Sequence, residues 1–281
     1  MPTNNSINSL GPGDVQGPAL STNEALVVYD GTTGRLVKNG VVTQDSTGNI
    51  SQSTAVSGAS LSILTSNTSN TANATAFYAV RVAGSTASDA YYQANITSGQ
   101  SWVWGLDNSD SDAYVLSSSS TPGTTNVMRV ATTGEINFPL QSAFLAINTI
   151  QRVNETGNGT IYTLIFDSEI FDQNNDFDGV STYTAPLTGR YHFSTSVLLT
   201  GILSTHTVGD FDLVTSNRTL RFSCPAPSKV FDANTNVSYE NVMLMDMDAG
   251  DTCQVKIAIF NGTKVVDIQP THTCFSGYLE C

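Results

Sequence analysis

Apolar positions in this chain fall in short runs separated by Gly-, Asn-, Asp- and Ser-rich punctuation, a pattern that predicts strands joined by tight turns. In residues 21–60 the runs Ala25 to Tyr29, Arg35 to Val37 and Val41 to Thr43 alternate with DGTTG, KNG and DSTGN turns at intervals of about eight to ten residues. Each run has one apolar face and is too short to hold a core alone, but three parallel chains could bury those faces around a shared axis. Residues 61–139 read as a small β module, with strands at Ala76 to Val82, Ala90 to Ile96, Ser101 to Leu106, Tyr114 to Ser117 and Val127 to Val130. Trp102 and Trp104 share one strand face; they read as a core pair, with an exposed sugar-stacking platform as the alternative. Asn137-Phe138-Pro139 reads as a hinge into a C-terminal domain that begins near residue 140. There Tyr183, Pro186, Gly189, Tyr191 and Phe193 describe a strand, a tight turn and a second strand, with Tyr191 and Phe193 on one side and His192 on the other. An ordinary antiparallel hairpin accounts for that alternation.

Composition fits this reading. The 281 residues are 40% hydrophobic and 12% charged, enough for one large or two small β domains, and the abundance of Ser, Thr, Asn and Gly leaves almost no helix to expect. Eleven basic against 24 acidic residues give a net charge of −13, which repels phosphate backbones and anionic membranes and argues against a nucleic-acid partner. No run approaches the roughly 18 apolar residues of a membrane span, so membrane insertion is not expected. Residues 1–20 are polar and rich in Gly and Pro, as in a flexible docking peptide. Their start, MPTNNSINSLGPG, lacks the basic and apolar segments of a secretory signal, and GPGDVQGP does not continue as a collagen repeat.

Candidate chemistry is sparse. Cys224, Cys253, Cys274 and Cys281 include no CxxC pair, which disfavours zinc and leaves open either two disulfides or four thiols. His192, His206 and His272 are widely spread, and no GxSxG, GxGxxG, P-loop or HExxH motif occurs, so no catalysis is expected from one chain. A carboxylate pair assembled between subunits remains open. Asp107, Asp110 and Asp112 could attract Ca²⁺, but Asp112 and Ser118 stand where an EF-hand needs Gly and Glu, and an Asx-rich turn explains the cluster. Sequons at Asn67, Asn73, Asn95, Asn154, Asn158, Asn217, Asn236 and Asn261 are expected by chance in a chain of this composition.

Two resemblances organise these regions. Phe166, Asp172, Phe177, Tyr183, Gly189, Tyr191 and Phe193, with the C-terminal FSGYLEC, resemble the globular head family of the complement recognition subunit, whose jelly roll is shared with the tumour necrosis factor group. The Phe177-to-Tyr183 interval is one residue short, and Thr195 stands where an aromatic is usual. The YDGTTGRLV phrase resembles shaft segments of bacteriophage and other viral tail fibres, and SWVWGLDNSDSDAYVLS resembles a fibre module that precedes a head. Together they imply an all-β, extended trimeric fibre. Its parts would be a docking peptide at 1–20, an interwoven β shaft at 21–60, a small β module at 61–139 and a jelly-roll β-sandwich head at 140–281.

The implied function is a homotrimeric fibre on the virion surface, docked to a capsid or tail protein and binding a host-surface protein or glycan through the head. A cellular complement-like lectin or adhesion protein, a polysaccharide-cleaving tailspike and a purely structural decoration fibre are the alternatives. Head loops supply the receptor candidates Asn154, Asn158, Asp176, Asp178 and His206. The head resemblance implies Ca²⁺ near Asp172, Asp176 and Asp178, and a trimer core including Tyr191, Phe193 and Tyr278.

Overall fold

The computed structural model describes residues 25–29, 37–44, 46, 49–52, 66–222, 226–270 and 272–281, and forms two compact units, 1–79 and 80–281. The expected docking peptide lies outside the described residues. In the first unit β1 (Ala25–Tyr29), β2 (Val37–Gln44) and β3 (Ile50–Gln52) form an antiparallel meander. The expected turn at Lys38-Asn39-Gly40 is absent. One strand runs through these residues, and the irregularity appears as a register shift opposite Ala25 and Val27. Residues 76–82, expected as a strand, form none.

The second unit begins with a five-stranded antiparallel sheet in simple sequence order: β4 (Ala90–Asn95), β5 (Ser101–Asp107), β6 (Ala113–Ser117), β7 (Asn126–Val130) and β8 (Ile136–Asn137). The β5–β6 connection is one turn of 3₁₀ helix at Asn108–Asp110, and Asp107 builds it by accepting the N–H groups of Ser109 and Asp110 at 3.1 and 3.2 Å. Asp110 pairs with Arg129, so the acidic cluster is an Asx turn closed by an ion pair. The link to the head is tied down instead of hinged. Gln173 Nε2 donates to the carbonyls of Phe138 and Gln141, both at 2.8 Å, and Asn174 Nδ2 donates to Leu140 O at 2.9 Å.

The head contains β9 (Ala143–Ile147), β10 (Arg152–Thr156), β11 (Ile161–Thr163), β12 (Ser168–Asp172), β13 (Tyr183–Thr184) and β14 (Gly189–Thr200). It continues with β15 (Val208–Thr215), β16 (Thr219–Phe222), β17 (Val237–Met247), β18 (Thr252–Phe260), β19 (Val266–Ile268) and β20 (Cys274–Leu279). One sheet follows the order β10-β19-β14-β20-β9-β12, with β17 on the other side of β14; the second follows β11-β18-β15-β16, with β13 also on β18. From β13 onward the chain passes repeatedly between the two sheets, and the first strand of the head, β9, pairs with the last, β20. All pairings are antiparallel, which defines a jelly-roll sandwich. Among the described residues the α-helical content is one turn, Pro227–Val230, and no helix is long and apolar enough to cross a membrane.

The hairpin reading of residues 183–193 is therefore corrected. Tyr183 pairs with Cys253 in one sheet and Tyr191 with Met245 and Leu279 in the other, so the Pro186–Gly189 segment is a corner between layers. Tyr191 fixes it: its hydroxyl donates to Leu187 O at 2.6 Å and accepts Leu187 N–H at 3.3 Å. The aromatic positions fill the space between the sheets. Phe144 stacks on Phe177 and Tyr183 at 5.1 and 5.0 Å, and Tyr183 meets Phe193 edge-on at 5.4 Å. Each such buried ring removes enough apolar surface from water to contribute about 2–3 kcal/mol. Tyr191 and Phe193, expected at a trimer axis, are instead 0% and 1% exposed within this single chain, whereas Tyr278 points outward from the same sheet and is 42% exposed.

Gly277 shows how closely this core is fitted, because a Cβ there would lie 2.5 Å from Phe193 Cδ1 and 3.0 Å from Phe144 Cε1. Gly277→Ala is expected to cost about 1–3 kcal/mol by overpacking, read as a lower urea midpoint with an unchanged denaturant slope.

Candidate functional site

The acidic loop after β12 is shaped by its own carboxylates. Asp172 accepts the N–H groups of Asp176 and Phe177 at 3.2 and 2.8 Å, and Asp178 Oδ1 accepts those of Val180, Ser181 and Thr182 at 2.8, 2.7 and 2.9 Å. Asp176 Oδ2 accepts the hydroxyl of buried Ser142 at 2.6 Å, and the same hydroxyl meets the Tyr183 hydroxyl at 2.6 Å. Among the described residues no three His, Cys, Asp or Glu side chains converge to hold a metal ion. Asp172, Asp176 and Asp178, the expected calcium ligands, here accept backbone amides and a serine hydroxyl.

Their ionisation differs accordingly. Burial and the nearby Asp172 charge push Asp176 upward against the Ser142 hydrogen bond. Burial also pushes Asp178 upward, but the backbone donors of Thr182, Ser181 and Val180 outweigh it and hold the group below its usual range.

Asn154, Asn158 and His206 lie toward the opposite end of the sandwich. Tyr183, beside the acidic loop, pairs with Cys253 on β18, whereas Gly157 N–H reaches Ile259 O on the same strand, six residues or about 20 Å along. The loop candidates therefore make no single site. Asn154 and Asn158 are exposed; Asn154 adopts φ 57° with its N–H on Asp267 Oδ1 at 2.7 Å. His206 is corrected as a receptor contact, being 0% exposed. Its Nδ1 accepts Leu203 N–H at 2.9 Å, which leaves the proton on Nε2 to donate to Thr263 O at 3.1 Å. Gly262 leaves room for the ring, since a Cβ there would sit 2.1 Å from His206 Cδ2.

The outer faces of the head differ sharply. On the β11-β18-β15-β16 sheet the outward positions include Asp210, Asp212, Gln254 and Lys256, and Arg221 bridges Asp210 and Asp212 at 2.9 Å each. On the larger sheet Leu145, Phe171, His192, Val242, Leu244 and Tyr278 form an apolar cluster, bounded along β17 by the outward charges of Glu240 and Asp246. Val242 and Leu244 are 59% and 52% exposed, and Phe171 is 48% exposed. The His192 and Tyr278 rings lie 4.9 Å apart and border a shallow cavity of about 300 Å³ with Leu145 and Phe171. A more polar cleft of about 570 Å³, with Arg190, Arg218, Asp246 and Asp248, lies near one end of this sheet. The sequence signal for the apolar face was the run Val242-Met243-Leu244-Met245, with Ala143-Phe144-Leu145-Ala146-Ile147 beside it: continuous apolar strands are those covered on both sides.

The thiols offer no reactive centre within the core. Cys253, Cys274 and Cys281 are free, and burial pushes the Cys253 thiol up, away from its nucleophilic form; Cys224 lies outside the described residues.

No protein-family model and no curated protein matches the chain. Similar solved structures include murine APRIL, at 12% identity and a TM-score of 0.36, and the globular domain of zebrafish complement 1qA protein, at 15% identity and a TM-score of 0.35. Each covers 50% of this chain and 98% of its own. The jelly-roll assignment rests on the strand order of the head itself.

The acidic loop yields opposite pH signatures. Raised in the fold, Asp176 contributes stability fully present below its ordinary unfolded value and lost as pH rises through the folded one, so its charge is a cost at pH 7. Asp176→Asn keeps an acceptor for Ser142 and is expected to be neutral or stabilising at pH 7. Asp178 contributes above its ordinary value and loses that contribution as pH falls through the lowered one. Asp178→Ala is expected to cost about 1 kcal/mol at pH 7, modest because the site is wet. Urea midpoints from pH 2.5 to 7, with and without EDTA, check both variants, and EDTA is expected to shift none of the curves.

Proposed function

We propose that this chain is a homotrimeric virion fibre that docks to the particle through its N-terminal residues and binds a host-surface protein or glycan through its jelly-roll head. The observation that carries the reading is the unequal exterior of the head: one sheet carries the Arg221 ion pairs with Asp210 and Asp212, and the other an open apolar cluster of Val242, Leu244, Phe171 and Tyr278. An apolar sheet face of this extent is a protein-contact surface, because exposing it to water forfeits the burial that drives association. Three copies, not two, are supported by the resemblance of residues 140–281 to complement-type heads, and a fibre by the shaft-like phrases of residues 21–60.

In this assembly the sheet bearing Val242, Leu244 and Tyr278 turns toward the other copies, and the charged sheet and end loops stay in water. Asn154 and Asn158 at one end and Asp178 at the other remain accessible to a receptor. The activity is binding, not catalysis. Three heads per fibre and many fibres per particle convert weak single-site affinity into durable attachment, so a shallow, polar contact surface is sufficient.

Leu244 is half in water within the single chain, so Leu244→Asp leaves the protomer core intact while placing a charge in the proposed contact. Labelled wild-type chain is expected to bind one or more members of a panel of cells and immobilised glycans, with Leu244→Asp losing about a hundredfold or more in apparent affinity. Wild-type binding to no member, or equal binding by the folded variant, would contradict the reading.

A further inference from the structure

The five-stranded module preceding the head has its polarity reversed. Residues paired across its ladders alternate in side. One side carries Val103, Gly105, Asp107, Ala113, Val115, Ser117 and Arg129, and this mixed polar side is covered: Asp107 is 3% exposed, Ser117 0% and Val115 0%. The 118–125 loop lies over it, close enough that a Cβ on Gly123 would meet Asp107 Oδ2 at 2.3 Å. The other side carries Tyr92, Trp102, Trp104, Leu106, Tyr114 and Leu116, and continues through β7 and β8 with no charged strand residue. This apolar side is open: Leu106 is 44% exposed, Trp102 40% and Tyr114 39%. The reading of Trp102 and Trp104 as a buried core pair is thus corrected. Tyr92 stacks on Trp104 at 5.9 Å and 22°, and the sheet presents its aromatic side outward.

We propose that this face is a self-association surface, covered by the same face of other copies of the chain. The inference rests on the homotrimer proposed for the head. Charge favours this occupant. Copies that each carry −13 meet at least electrostatic cost where their charges are sparsest, and the strands of this face present none, Arg81 and Asp112 standing only at its Leu106 edge. A sugar is the poorer fit, because its hydroxyl groups need polar partners and the strands of the face offer two tyrosine hydroxyls, the other polar groups, Arg81, Asn108 and Asp112, lying at the Leu106 edge away from Trp102.

Area explains why the module depends on the head. Five strands about 4.8 Å apart and about five residues long present roughly 400 Å² of sheet face, about half of what a stable interface takes from each partner. Alone, the face would associate weakly. Tethered beside a head that already holds the copies together, it acts at high effective concentration and closes.

Trp102 and Trp104 are the two tryptophans of the whole chain, so intrinsic fluorescence reads this face directly. The full chain, its Leu106→Glu variant and its Leu244→Asp variant are compared by light scattering and by quenching with acrylamide, a neutral probe that the acidic chain does not repel. In a multimeric wild type the tryptophans are expected to be shielded. Quenching rises severalfold in Leu106→Glu although the heads keep the same native mass, and also in Leu244→Asp where the mass falls to that of one chain. A multimer whose tryptophans quench as freely as those of the single-chain variant would overturn this inference while leaving the head reading intact; protection from quenching by added glycans would then assign the face to sugar. Shielding retained in the single-chain variant would also overturn it, since the cover would belong to the same chain. A wild type with the mass of one chain would overturn both.

Discussion

An antiparallel sheet with apolar residues on both sides must be covered on both sides, and this chain covers only one side of its two principal apolar sheets. In the head, Tyr191, Phe193, Met245 and Phe275 are enclosed by the second layer of the sandwich, while Val242, Leu244 and Tyr278 on the same strands face outward. In the preceding module the asymmetry is sharper, because the covered side holds Asp107 and Ser117 and the open side holds Trp102 and Leu106. The smaller head sheet shows the opposite solution, with half-buried Asp210 and Asp212 paired to Arg221, and Lys256 beside them, outside a buried Phe211, Leu213 and Ile257. The proposed assembly would cover the apolar clusters that these two sheets leave open.

The polar parts of the molecule are spent on geometry. Asp107, Asp172, Asp178 and Asp232 all accept nearby backbone N–H groups, so much of the acidity that first suggested cation sites instead fixes turns. His206 does the same from the interior, held between Leu203 N–H and Thr263 O. Chains that share a negative charge then meet most readily over faces without charge, and the remaining acidic surface keeps such an assembly soluble.

Much of the head is legible in the sequence. Tyr191 and Phe193 alternate at period two and do share the inner side of their strand, within one chain and not at a trimer axis, whereas Phe166, Phe177 and Tyr183 were marked only by the resemblance to complement-type heads. Sidedness failed where both parities are apolar: Ser-Trp-Val-Trp-Gly-Leu reads equally well in either orientation, and a buried Gly105 and Asp107, not the large rings, mark the covered side. The Lys38-Asn39-Gly40 turn failed because an Asn-Gly pair permits a hairpin without requiring one, and the chain runs straight through as β2. His206 looked like a loop residue and is one, but the space left by Gly157 and Gly262 draws its ring inward, a contact across 50 or so residues that local pattern does not carry. In the acidic loop, sequence spacing does not separate a cation site from an Asx turn, since backbone amides compete with cations for the same oxygens.

The central claim is that the open sheet faces belong to an assembly of three copies, and the native mass of the purified full chain by light scattering tests it most directly. The account predicts about three times the 29.8 kDa chain mass, unchanged on dilution through the micromolar range and unchanged by EDTA. A stable particle of one chain mass, soluble with both apolar faces in water, would contradict it.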